Sequence, residues 1–169
     1  MMRITYRYSN NKDYWTSRWD DIPADLPMKN TKVYPLKYAL KTIIDTDGPI
    51  LEAGCGAGRI LRYFHDKGFD ITGIDFIDIA ISKLKEIDPT LKVETGDVSS
   101  LKFSDSSFKY ILAFGLFHNL EFNIDEAVQE CDRVLSTGGR ICVSFRADNI
   151  QTRLTDWLTE LRKKIHLEL

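Results

Sequence analysis

The sequence has few of the residues that form disulfide frameworks or metal sites. Its 169 residues include only three cysteines and three histidines, and both kinds are widely spaced along the chain. An odd number of scattered cysteines fits neither a set of disulfides nor the paired ligands of a zinc site. We therefore expect Cys55, Cys131 and Cys142 to be reduced thiols, and we expect no bound metal.

Long apolar runs and a strong excess of one charge are also missing. The formal net charge is -2, with 43% hydrophobic and 28% charged residues, which is typical of a soluble globular protein. No apolar run approaches the ~18 to 20 residues that cross a bilayer, and the first residues lack the apolar region of a signal peptide. We therefore expect a cytoplasmic protein that binds neither membranes nor nucleic acid.

Short apolar runs alternate with helical patterns through most of the chain. This alternation predicts an α/β fold, a Rossmann-like parallel sheet with helices on both faces. The predicted strands are 49–53, 70–74, 92–95, 110–114 and 140–145, and the predicted helices are 34–46, 59–67, 77–87, 125–135 and about 149–164. We expect residues 1–169 to form a single domain, with an arm or lid at 1–33, a cofactor-binding core at 34–147 and a C-terminal helix at 148–169.

A glycine-rich segment, ILEAGCGAGRI, joins the first predicted strand to the following helix. Its glycines allow a sharp turn and a close approach of a ligand to the backbone, although a turn without a ligand is the alternative. A dinucleotide loop would need a glycine where Arg59 stands, and a phosphate loop would need a lysine followed by serine or threonine after Gly58. Glu52 precedes the loop, and its carboxylate would repel a pyrophosphate and favour a cation.

Two further acidic residues follow predicted strands. Asp75 ends the second strand, where a carboxylate can accept hydrogen bonds from both hydroxyls of a ribose. Asp97 follows the third strand, where it could accept a hydrogen bond from an adenine amino group while Val98 covers the ring. Ordinary solvated carboxylates are the alternative for both.

These segments carry a family resemblance. ILEAGCGAGR, ITGIDF, ETGDV, YILAFGLFHNL and RVLSTGGRICVSF together resemble the successive motifs of class I S-adenosylmethionine-dependent methyltransferases, over roughly residues 34–145. The resemblance implies S-adenosyl-L-methionine as the cofactor, with the loop under its methionine part, Glu52 at its ammonium, Asp75 at its ribose and Asp97 with Val98 at its adenine. The candidate cofactor-binding residues are Glu52, Gly54, Cys55, Gly56, Gly58, Asp75, Phe76, Asp97, Val98 and Tyr14.

The acceptor side has one candidate catalytic residue. His118 follows the fourth strand, and an imidazole can act as a base near neutral pH, although a structural histidine is the alternative. The aromatic arm, with Tyr14, Trp15 and Trp19, could close over the cofactor or could be an ordinary packing segment. We interpret Cys55 as a small filler, because no base or cation adjoins it in the sequence.

The sequence departs from the family after the fifth strand. Family members usually add two more strands there, the last of them antiparallel, whereas this chain has one predicted helix. We therefore expect either a homodimer, formed through the edge of the fifth strand and the C-terminal helix, or a shortened form of a longer enzyme. The function that we expect is methyl transfer to a small-molecule acceptor. A non-catalytic module that binds S-adenosylmethionine or S-adenosylhomocysteine is the main alternative, and Arg59 and Glu52 disfavour a nicotinamide-dependent oxidoreductase.

Overall fold

The structure, a computed structural model, describes residues 12–22, 27–120 and 123–145 together with Arg153. Five strands and five α-helices are described, with a 3₁₀ turn at Phe117–Asn119. The strands are β1 (Ile50–Ala53), β2 (Ile71–Asp75), β3 (Lys92–Thr95), β4 (Phe108–Ala113) and β5 (Leu135–Val143). The helices are α1 (Lys12–Asp21), α2 (Leu36–Thr42), α3 (Arg59–His65), α4 (Asp78–Ile87) and α5 (Ile124–Val134).

The five strands form one parallel sheet in the order β3-β2-β1-β4-β5. This order confirms the predicted Rossmann-like fold. The chain runs outward from β1 to β3, then crosses back to place β4 on the other side of β1. The loops that follow β1 and β4 therefore diverge, and they leave a crevice at the carboxyl ends of these strands, where open α/β sheets bind ligands.

Apolar side chains cover both faces of the sheet. Successive residues of β1 point to opposite faces, so that Ile50 packs with α2, α3 and α4, while Leu51 packs with α5. Both side chains are fully buried. Burial on both faces explains why β4, next to β1 inside the sheet, ends in the continuous apolar run at 110–113.

Three predicted features differ in the structure. The helix predicted at 34–46 spans only Leu36–Thr42. Asn123 and Glu126 have the sequence spacing of a capping box at the start of α5, but this prediction is wrong, because Asn123 has left-handed backbone angles and its side chain caps no amide. β5 begins at Leu135 rather than at 140, because an irregularity next to Gly138 lets residues on both sides of it pair with β4.

Some predictions lie outside the described residues or concern absences. The predicted helix at 149–164 lies outside them, apart from Arg153, and the predicted homodimer stays a prediction.

Within the described ranges, no helix is long and apolar enough to cross a membrane. The same residues contain no group of three or more histidine, cysteine or acidic side chains that could hold a metal ion. Cys55, Cys131 and Cys142 are all free, as expected.

Candidate functional site

A cavity of about 650 Å³ occupies the crevice between the loops that follow β1 and β4. The loop after β1 forms its floor, the ends of β2 and β3 form one side, and the segment after β4 forms the other. Side chains of α1 contribute to it from above. This volume lies within the range of roughly 300–1,000 Å³ that is usual for small-molecule sites.

The glycine loop is held by hydrogen bonds to β2. The amides of Gly54 and Cys55 both donate to the Ile74 carbonyl at 2.9 Å, and the Gly56 amide donates to the Asp75 carboxylate at 2.8 Å. Gly54 and Gly56 have φ values of 74° and 50°, in the left-handed region that favours glycine. The loop therefore uses its first amides for its own structure, and the cavity is bounded by its backbone.

Asp75 is a structural acceptor as well as a cavity residue. It is 7% exposed, and its two carboxylate oxygens accept from the amides of Gly56 and Ile77 at 2.8 and 3.0 Å. Burial raises the pKa of this carboxyl above its ordinary value, although the amide hydrogen bonds oppose the shift. One carboxylate thus ties the glycine loop to the start of α4.

Glu52 lies beneath the same loop with a buried oxygen that has no partner. Its residue is 5% exposed, and among the described residues nothing hydrogen-bonds to Oε2. Burial raises the pKa of Glu52 to about 8, and the charge of Asp75 adds to the shift, while a hydrogen bond from the Leu61 backbone opposes it. A buried acceptor of this kind is costly unless a donor or a cation in the cavity pairs with it.

Close contacts explain two other glycines. A Cβ on Gly56 would lie 2.6 Å from the Trp19 ring of α1, and a Cβ on Gly73 would lie 2.6 Å from Leu61. Gly73 thus lets β2 approach α3 and the glycine loop closely. The sequence interpretation missed this role of Gly73. Its position directly before Ile74 and Asp75 was the signal that could have indicated it.

The third strand supplies the far end of the cavity. Asp97 accepts hydrogen bonds at Oδ1 from the amide and the hydroxyl of Ser99, at 2.9 and 2.8 Å. Val98 is 4% exposed and lines the cavity. Phe76 is half exposed on the same side, with the Lys12 ammonium 5.1 Å from its ring centroid.

The segment after β4 and its neighbours form the opposite side. His118 and Asn119 line the cavity from the 3₁₀ turn, and the Asn119 amide group donates to the Gly115 carbonyl. The Tyr34 hydroxyl is 2.9 Å from the Ser144 hydroxyl, which also accepts from the Gly115 amide. This half of the cavity therefore combines a histidine with aromatic and amide groups.

A family model described as a methyltransferase domain matches residues 51–143, more than half of the chain. The match covers the glycine loop, the sheet apart from Ile50, and the part of the cavity lining that follows Ile50 in the sequence. The chain belongs to the class I S-adenosylmethionine-dependent methyltransferase family. The cofactor of this family is S-adenosyl-L-methionine.

Individual relatives agree with this assignment. A probable S-adenosylmethionine-dependent methyltransferase of Mycolicibacterium smegmatis is 28% identical over 56% of this chain and 37% of its own length. A ubiquinone biosynthesis O-methyltransferase of Alkalilimnicola ehrlichii is 26% identical over 78% of this chain and 56% of its own. The solved structure of a TehB-like S-adenosylmethionine-dependent methyltransferase from Corynebacterium glutamicum superposes with a TM-score of 0.61, at 27% identity, over 81% of this chain and 73% of that chain. The methyltransferase chain thus spans about a third to a little over half of the two curated relatives.

The residues of the cavity fit the cofactor of the family. S-adenosylmethionine has an ammonium and a sulfonium but no phosphate, and Glu52 lines the cavity with a buried carboxyl group whose Oε2 has no hydrogen-bond partner among the described residues. The amides of the loop are already used, so that a phosphate would find few donors there. A carboxylate together with few available amide donors suits a cation better than a phosphate.

Most predicted site residues of this methyltransferase line the one cavity. They are Glu52, Gly54, Cys55, Gly56, Asp75, Phe76, Asp97, Val98 and His118. Gly58 and Tyr14 are not part of the lining. A Cβ on Gly58 would lie 2.5 Å from Leu84, so this glycine allows α4 to pack against the loop. Tyr14 packs edge to face on Trp15 instead.

The prediction for Cys55 as a filler agrees with its surroundings. Its residue is 6% exposed, and burial raises the pKa of the thiol well above its ordinary value, with the charges of Glu52 and Asp75 adding to the shift. A thiol in such an environment stays protonated and is a poor nucleophile.

The sequence interpretation included Trp15 and Trp19 as possible cover for the cofactor, but it missed three other lining residues, Arg18, Met28 and Tyr34. Trp15, Arg18 and Trp19 line the cavity together, followed by Met28 and Tyr34. The i, i+3, i+4 spacing of the first three was the signal that could have placed them on one helical face.

Proposed function

We propose that the protein transfers the methyl group of S-adenosylmethionine to a small-molecule acceptor. The observation that carries this proposal is the buried carboxylate of Glu52, a residue that lines the cavity beside the glycine loop and whose Oε2 has no hydrogen-bond partner among the described residues. When bound, the cofactor supplies a methyl group on a cationic sulfur, which is electrophilic without further activation. The protein itself has to bind and orient the cofactor and the acceptor, and it has to exclude water from the site.

The cofactor-binding roles follow the geometry of the cavity. Glu52 accepts a hydrogen bond from the ammonium, and Asp75, on the next strand, faces the ribose while it keeps the loop in place. Asp97 accepts from the adenine amino group through the oxygen that its Ser99 turn leaves free, and Val98 packs on the ring. Trp15 and Trp19 of α1 cover the site, and we include Tyr14 in this cover through its contact with Trp15.

The acceptor occupies the half of the cavity that is lined by the segment after β4. A cavity of about 650 Å³ is of the size of small-molecule sites, and this size is consistent with a small acceptor beside the cofactor. Tyr34 and Phe114 pack edge to face there at 5.8 Å, and Leu116 and Leu120 add apolar surface. The name of the ubiquinone biosynthesis relative is consistent with an acceptor that has a ring.

We propose that His118 accepts the proton that the acceptor loses during methyl transfer. It lines the cavity on the side of β4, away from the end formed by Asp97 and Val98. A neutral imidazole can accept a proton from a hydroxyl or an amine as the new bond forms. Correct positioning of the acceptor supplies the larger part of the rate, up to ~7 to 11 kcal/mol in favourable cases.

The direct test is a methyl-transfer assay with labelled S-adenosylmethionine and a panel of phenols, quinols, carboxylic acids and amines. We expect transfer to at least one class, and we expect loss of transfer with Glu52→Gln. The exposed Glu86→Gln on α4 is the matched control and should retain activity. Cofactor binding without transfer to any acceptor would instead support a non-catalytic binding module, and absence of binding would refute the proposal.

We also propose self-association through β5. In the described part of the sheet this strand pairs only with β4, and the apolar residues Ile141 and Phe145 are 43% and 45% exposed. An apolar strand edge of this kind is usually covered. Light scattering at micromolar concentration should give the mass of a dimer, and a clean monomer would refute self-association without affecting the proposed reaction.

A further inference from the structure

Helix α1 lies over the cofactor cavity, and none of its ten residues is fully buried. Trp19 approaches the glycine loop so closely that a Cβ on Gly56 would clash with its ring, and Trp15 stacks beside it with ring centroids 6.1 Å apart. Because the helix is only partly buried, polar contacts elsewhere on it add to these ring contacts in fixing its position.

The strongest of those contacts involves Lys83, which lies on α4 and does not line the cavity. Its ammonium donates to the carbonyl of Trp19 at 2.9 Å and to the carbonyl of Asp20 at 2.5 Å, and it lies 3.5 Å from the carbonyl of Ile22. These are carbonyls at the C-terminal end of α1, which lack partners inside the helix. A cation there is also favoured by the helix dipole.

The surroundings of Lys83 make these bonds more effective than those of an exposed lysine. Its side chain is 26% exposed, and it shares a small gap between α1 and α4 with Trp19, Ile22, Ala57 and Ala80. At the other end of α1, Lys12 pairs with Asp78 at 3.3 Å, but both of those side chains are more than half exposed. The Lys83 contact is therefore the better shielded of the two.

We propose that Lys83 is a positioning residue that holds the Trp15 and Trp19 rings over the bound cofactor. It touches neither cofactor nor acceptor, and it acts through the backbone of α1. The role in cofactor retention rests on the proposed function, whereas the docking of α1 by Lys83 does not. Removal of the ammonium should let the C-terminal end of α1 move away from the glycine loop.

Two measurements separate these points. The first uses the cofactor-free protein in a Trp157→Phe background, so that Trp15 and Trp19 are the emitting tryptophans, and follows quenching of their fluorescence by acrylamide. Lys83→Met should raise the quenching constant at least about twofold. Lys85→Met, a matched change on the exposed side of the same helix, should leave it unchanged.

The second measurement is the dissociation rate of S-adenosylmethionine, followed by stopped-flow displacement. Since hydrogen bonds to a charged donor are the stronger kind, we expect roughly tenfold faster release from Lys83→Met, with little change in the association rate. Lys85→Met should stay within about twofold of the wild type. Lys83→Arg, which keeps a charged donor on a long side chain, should restore slow release, and Lys83→Gln should be intermediate.

Equal quenching in the Lys83→Met and Lys85→Met variants would overturn the docking role. Changed quenching with unchanged release would overturn the role in retention. A wild-type protein that binds no S-adenosylmethionine would contradict the proposed function, and the quenching measurement would still decide whether Lys83 docks α1.

Discussion

Replacement of Glu52 by glutamine should change how the stability of the protein depends on pH. In the free protein the pKa of Glu52 is raised from 4.5 to about 8, because the carboxylate is buried beside Asp75. Between these two values the folded protein keeps the proton that the unfolded chain has lost. The contribution of Glu52 to stability is therefore fully present below pH 4.5 and is lost as the pH rises towards 8.

The size of the effect follows from the shift. Each pH unit within this window costs about 1.4 kcal/mol, so that wild type should lose about 3 kcal/mol relative to Glu52→Gln between pH 5 and pH 7. Urea unfolding of both proteins at pH 5, 6 and 7 measures this difference, and other titrating groups cancel in the comparison. The exposed Glu86→Gln should show no such divergence from wild type. Parallel pH profiles for Glu52→Gln and wild type would refute a buried, protonated Glu52.

The same shift links cofactor binding to proton release. A cation beside Glu52 favours the ionised carboxylate, so binding should release close to one proton per cofactor at pH 6.5. An α-amino group is already protonated at that pH and should not obscure the release. Calorimetry in two buffers with different ionisation enthalpies counts the proton. Glu52→Gln should release none, and equal release from both proteins would show that the proton comes from another group.

Three further substitutions test single residues of the site. Asp75→Ala should weaken S-adenosylmethionine binding by at least about 1.5 kcal/mol in calorimetry and lower the free energy of unfolding by about 2 kcal/mol, because two buried amides lose their acceptor; no change in either would remove Asp75 from the site. Gly56→Ala should weaken cofactor binding at least about tenfold, because the added Cβ would clash with a neighbouring ring. Gly68 has the same left-handed backbone but open space around it, so Gly68→Ala should not weaken binding. Equal losses of binding in the two variants would mean that backbone strain alone matters. His118→Ala should lower kcat at least about tenfold with less than a threefold change in cofactor Kd. The control His65→Ala, outside the cavity, should not lower kcat in this way. Equal losses of turnover and affinity in His118→Ala would mean that His118 is structural.

The positions of the cofactor-facing loops could be predicted from the sequence because they depend on local order. Glu52 lies near the end of β1, Asp75 ends β2 and Asp97 follows β3. The carboxyl ends of parallel strands meet at one edge of a sheet. Their residue types then restrict the ligand by charge. The fold and the candidate site could therefore be predicted from the order of the strands and from a few polar residues.

Other features could not be predicted because they depend on contacts between distant segments. The bonds of Lys83 to α1 join residues more than sixty positions apart. The use of Asp75 as an acceptor for the Gly56 amide depends on the left-handed turn of the loop. At α5, Asn123 has the residue type of a cap but not the backbone angles, so sequence spacing alone indicated a bond that does not form.

A crystal structure of the protein with S-adenosylhomocysteine tests the proposed cofactor site most directly. This product keeps the ammonium, the ribose and the adenine of the cofactor. We expect its ammonium within hydrogen-bond distance of Glu52, its ribose at Asp75 and its adenine between Asp97 and Val98, with the Trp15 and Trp19 rings above it. A ligand bound elsewhere, or a cavity that remains empty at saturating concentration, would contradict the assignment of this cavity as the cofactor site.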